Sequence, residues 1–88
     1  MPHIIIKMYP GRSEEQKRKL VDCIAADVAD IAKCELKSIS IAIEEVPPEE
    51  WTEKVYRPEI LAKSHLLYKE PGYNPLKQPA NEKMKRDS

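Results

Sequence analysis

Glycine is nearly absent from this chain, with two in 88 residues, too few for a glycine-rich loop that cradles phosphate. Cysteine also numbers two, Cys23 and Cys34. Both fall in one helical pattern, where a rise of about 1.5 Å per residue sets them roughly 16 Å apart. That is far beyond the roughly 7 Å between Cα atoms that a disulfide spans. No CxxC or Cys-His spacing marks a zinc site, so both cysteines read as small core or interface residues. Net charge is missing too: 15 Lys+Arg stand against 15 Asp+Glu, leaving no global field to draw in nucleic acid or an anionic membrane. No apolar run approaches a membrane span, and the N-terminus lacks the basic region, apolar stretch and cleavage site of a secretory signal. The expectation is a cytoplasmic protein that engages neither membrane nor nucleic acid. No Ser-His-Asp or Cys-His set is evident either.

What is present is one small domain, of a size that buries a modest core and is commonly supported by disulfides, metal or self-association. With the first two unsupported by the sequence, self-association is expected. Residues His3 to Tyr9 (HIIIKMY) alternate, with Ile4, Ile6 and Met8 on one face and His3, Ile5, Lys7 and Tyr9 on the other. β-Branched residues dominate and Pro10-Gly11 ends the run, which predicts a strand. Ser13-Glu14-Glu15-Gln16 then forms a capping box, and the two acidic residues suit the positive end of a helix dipole. Leu20, Ile24, Val28 and Ile31, with Val21, Ala25 and Ala32, recur at three- and four-residue steps, predicting an amphipathic helix over 14–34. Ser38 to Val46 (SISIAIEEV) alternates again, with Ile39, Ile41 and Ile43 as its apolar face.

Strand, helix and strand make an α+β domain built on a βαβ unit with two parallel strands. Two strands with one covered face are marginal alone, and the uncovered face still carries Ile5 and Ala42. A second copy is expected to complete the sheet. Pro47-Pro48 break the second strand. Glu49 to Tyr56 predicts a short helix, and Pro58, at a first-turn position, predicts another through about Lys69. After Tyr73 the periodic apolar content fades, so a folded domain over 2–73 and an extended or disordered arm over 74–88 are expected.

A proline directly after Met1, a short strand, "GRSEEQK" opening the first helix, an "SISIAI" second strand and an aromatic residue soon after it resemble the 4-oxalocrotonate tautomerase family. The resemblance covers residues 2 to about 73. The segment "SISIAIEEVPPEEW…KEPGY" is most similar to the PptA-like, dimer-forming subgroup, in which extra C-terminal helices replace the family's short hairpin. It implies a keto–enol or double-bond isomerase, an enzyme without metal or cofactor, whose general base is the amino-terminal proline left by methionine removal. It also implies βαβ protomers assembled so that sites form near subunit interfaces, with a dimer favoured over a hexamer. Residue by residue, Pro2 falls on the catalytic proline and Arg12 on an arginine that binds substrate carboxylate. Trp51 falls on an active-site phenylalanine. Ser40 stands where the family has a second arginine, which argues against a dicarboxylate and for a monocarboxylate enol of the phenylenolpyruvate kind.

The chemistry is consistent with these residues. A proton shuttle works best with a pKa near the working pH. An α-amine begins at about 7.7–8.0, and a proline amine somewhat higher. Burial among isoleucines and a nearby Arg12 both disfavour its cation and lower that value. Blander readings stand beside each assignment. Pro2 as a strand-edge proline, Arg12 as a solvated loop cation and Trp51 as a packing residue are the alternatives. Ser40 offers an inward strand hydroxyl that would bond substrate. His3 and His65 read as structural or exposed, and Tyr73 as packing. The rival function is a non-catalytic oligomeric module that keeps the scaffold for partner binding; retention of Met1, which would make Pro2 an amide, favours it.

Overall fold

A computed structural model of the chain describes residues 1–77. It divides into a unit over Met1–Trp51 and a second that begins at Thr52. In the first, strand β1 (His3–Met8) leads to helix α1 (Glu14–Ile31) and strand β2 (Ser40–Glu45), followed by one turn of helix, α2 (Pro48–Trp51). The strands pair in parallel, from His3 opposite Ser40 to Met8 opposite Glu45. The ladder extends by one bond at either end: Ser40 N–H donates to the Pro2 carbonyl (3.1 Å) and Val46 N–H to the Met8 carbonyl (2.9 Å). This is the βαβ unit that the alternation predicted.

Ile4, Ile6, Met8, Ile41 and Ile43 are half-buried, as are Leu20, Val21, Ile24, Ala25, Val28 and Ala29 of α1. These two apolar faces meet, and the other face of the sheet stays open. Lys17 ties helix to sheet: its ammonium lies 2.9 Å from Glu14 and 3.0 Å from Glu45. The hydrogen bonds to these carboxylates raise the Lys17 pKa, and Lys17 in turn lowers that of Glu14.

The start of α1 follows the sequence closely. Ser13 Oγ accepts from Gln16 N–H (3.1 Å), and the Gln16 amide oxygen accepts from Ser13 N–H (2.8 Å), closing the capping box. Its end does not. The helix stops at Ile31 rather than residue 34, and Ile31, expected on the apolar face, is 75% exposed. Lys33 takes a left-handed conformation (φ 59°), and Cys34 N–H donates to the Ala29 carbonyl (3.2 Å). This is the Schellman arrangement, in which the left-handed position normally falls to glycine. A lysine there gives no signal in the sequence. A single 3₁₀ turn, Leu36–Ser38, then delays β2 to Ser40.

In the second unit, one π-helical segment, Thr52–Leu61, contains Pro58, where a new helix starting at that proline was expected. An α-helix would press the proline ring against the carbonyl four residues earlier. Bonding to the fifth residue, as from Ala62 N–H to the Arg57 carbonyl (3.0 Å), widens the turn and relieves that clash. Arg57 Nε donates to Glu53 (2.9 Å) across the same turn. A 3₁₀ turn at Ser64–Leu66 replaces the expected continuation to Lys69. Tyr73 packs on Tyr56 with ring centroids 5.9 Å apart. Asn74 closes a turn by accepting from Leu76 N–H (2.9 Å) and Lys77 N–H (3.2 Å); the rest of the expected arm, 78–88, lies outside the described residues.

Candidate functional site

Pro2 lies half-buried at the head of β1, next to a fully exposed Met1. Its carbonyl is held by Ser40 N–H, which puts Ser40 beside it. Ser40 does not point inward as expected. The register sets it on the open face with Ala42, and it is exposed. Directly opposite is His3, whose Nδ1 lies 2.6 Å from Ser40 Oγ. The sequence offered no partner for this histidine, because cross-strand neighbours depend on the register.

Arg12 and Trp51 lie elsewhere. β1 carries the chain away from Pro2 at about 3.3 Å per residue, so Tyr9 stands roughly 20–25 Å from it. Arg12 follows on the connection to α1, in an exposed position. It is preceded by Gly11, whose φ of 129° is a conformation that side chains rarely adopt. Trp51 returns to this same end, its ring meeting that of Tyr9 edge-on at 5.1 Å. Tyr9, read from the sequence only as a strand terminus, thus forms an aromatic pair with a half-buried Trp51. Arg12 sits at the positive end of the α1 dipole, a place that suits an anion. Of the acidic residues in that first turn, Glu14 is held by Lys17.

The four residues picked out in the sequence therefore lie towards opposite ends of one strand pair. Pro2 and Ser40 share one end; Arg12 and Trp51 share the other. His3 joins the first and Tyr9 the second. Within the Met1–Trp51 unit, Pro2 and Arg12 stand beyond opposite ends of β1. Among the described residues no cluster of three His, Cys, Asp or Glu side chains suits a metal ion, and no helix is long and apolar enough to cross a membrane. His65 is exposed.

The family model described as tautomerase enzyme matches residues 2–56, beginning at Pro2. A probable tautomerase of Xylella fastidiosa (strain 9a5c) is 40% identical over 82 residues, covering 93% of this chain and 100% of the relative. Tautomerase PptA of Pectobacterium atrosepticum is 37% identical over 78 residues, covering 84% of this chain and 99% of the relative. Tautomerase PptA of Escherichia coli O157:H7 is also 37% identical over 78 residues. With a βαβ fold, a proline at the head of the first strand and relatives matched along nearly their whole length, the chain belongs to the tautomerase family of isomerases.

Proposed function

We propose that this protein moves a proton within small 2-oxo or 2-hydroxy-enoate monocarboxylates of the phenylenolpyruvate kind, using the Pro2 amine freed by removal of Met1. The observation that carries the proposal is the position of Pro2: half-buried, at the head of β1, where the family match begins. Met1 is fully exposed, so its removal takes nothing from the packed faces. A free α-amine has a reference pKa of about 7.7–8.0, close enough to neutrality for part of it to be unprotonated and available as a base.

In the proposed cycle the neutral Pro2 nitrogen takes the enol O–H proton. The oxygen lone pair closes the carbonyl as the C=C electrons move to the adjacent carbon. That carbon takes a proton from the Pro2 ammonium, which restores the free amine. Arg12 forms a charge-assisted pair with the carboxylate, and Trp51 and Tyr9 wall the apolar end. Because Arg12 stands at the far end of its own strand pair, the one that reaches a given Pro2 comes from a second copy. Self-association of this kind also answers the thin core of the chain, in which Val46, Val55 and Tyr56 are the buried hydrophobic residues among those described. A dimer is the simplest assembly with that exchange, and a cytoplasmic enzyme without a cofactor is the setting proposed for it.

Two measurements test the reading together. Intact mass of the native protein should show Met1 absent. Pro2→Ala should lower the turnover of phenylenolpyruvate by about 100-fold or more, the scale of a lost general base, with the fold unchanged by circular dichroism. A retained Met1, or a Pro2→Ala variant as fast as the parent, leaves the non-catalytic scaffold instead.

A further inference from the structure

The open face of the sheet carries one polar pair near its head. His3 and Ser40 are directly opposed in the ladder and hydrogen-bonded at 2.6 Å. Beside them on this face stand Ile5, 55% exposed, and the small Ala42. Further along, Lys7 faces Glu44 at 3.9 Å, so among the described strand residues of this face the one cation already has a carboxylate. Pro2 is the residue before His3, and its carbonyl is the one that Ser40 N–H holds.

What such a pair recognises follows from its donors and acceptors. If Nδ1 carries the proton, it donates to Ser40 Oγ, leaving the hydroxyl hydrogen to point outward. If Nδ1 is bare, it accepts the hydroxyl hydrogen, and Oγ is left to accept. In either tautomer the serine keeps one directed hydrogen-bonding function, and the imidazole fixes which way it points. This differs from arginine or lysine, which donate only and carry permanent charge suited to a carboxylate. The pair instead suits a neutral oxygen that is a hydroxyl in one state of the substrate and a carbonyl in the other.

We infer that His3 positions the Ser40 hydroxyl to hold the 2-oxygen of the substrate beside Pro2, so that this face selects acids with one carboxylate and a neutral oxygen next to it. The inference rests on the tautomerase reading for its substrate but on the His3–Ser40 geometry for its site. Ser40 is the group that touches the substrate; His3 acts through it.

Paired inhibitors test this. 3-Phenyllactate carries the 2-hydroxyl and 3-phenylpropanoate lacks it, and the affinity of each is read from the fluorescence of Trp51, the sole tryptophan. The parent should bind the hydroxy acid tighter by up to about tenfold, the worth of one neutral hydrogen bond. Ser40→Ala and His3→Leu should each bring that ratio close to one and add nothing when combined. His3→Asn, whose amide sits where Nδ1 sits, should keep most of it. A ratio near one in the parent, or one that survives in both Ser40→Ala and His3→Leu, overturns the inference. Turnover that does not depend on Pro2 would remove the tautomerase reading while a hydroxyl preference lost in both variants would still uphold the His3–Ser40 subsite.

Discussion

At the scale of single residues, position decides what each group can do. Pro2 is ordinary as an internal residue and becomes a secondary amine only as the first one. Arg12 is exposed in the protomer, so its replacement should leave stability within about 0.5 kcal/mol. Its contribution should appear in binding. Arg12→Ala is expected to raise KM for a monocarboxylate enol by roughly 10–100-fold, as for hydrogen bonds to a charged group. The neutral methyl ester of the same substrate should show no such change. Steady-state kinetics on the two substrates measure the difference, and equal losses on both would assign Arg12 to structure. His3 shows the limit of a residue read by itself. Its spacing in the sequence offers no partner, yet the register puts it on Ser40.

At the scale of elements, the signals that could be read locally were the ones with a chemical signature. The Ser13–Gln16 capping box marks the start of α1, and alternation marks the faces of β1 and β2. The end of α1 had no such mark, since Lys33 holds the left-handed position where a glycine would have announced the stop. Lys33→Gly removes the Cβ clash of that conformation and should stabilise the protein by about 1 kcal/mol. Thermal melting would register this as a rise of a few degrees in Tm. A fall would mean that the lysine side chain supplies more than the backbone loses. Pro58 misled in the opposite direction. It has the look of a helix start, but the wider π turn accommodates it inside a continuous segment.

At the scale of the molecule, the deciding fact is that Pro2 and Arg12 stand beyond opposite ends of β1. If the proposed site uses both residues, it is completed only by another copy. Mixing the impaired Pro2→Ala and Arg12→Ala proteins, with exchange of subunits, should therefore raise activity above that of either variant at substrate concentrations below the raised KM. In a two-fold dimer with random exchange, about a quarter of sites would regain both groups. Ketonisation assays on the mixture against each variant alone measure the recovery; none would mean that one protomer supplies both residues. The sequence by itself determined the βαβ order, the apolar faces and the chemically unusual residues, because periodicity, capping and residue type are local properties. Which of those residues become neighbours was decided only by the tertiary structure. Pairing register brings His3 to Ser40, and the return of the chain after β2 brings Trp51 to Tyr9. Those contacts arise between segments far apart in the chain, where no local pattern records them.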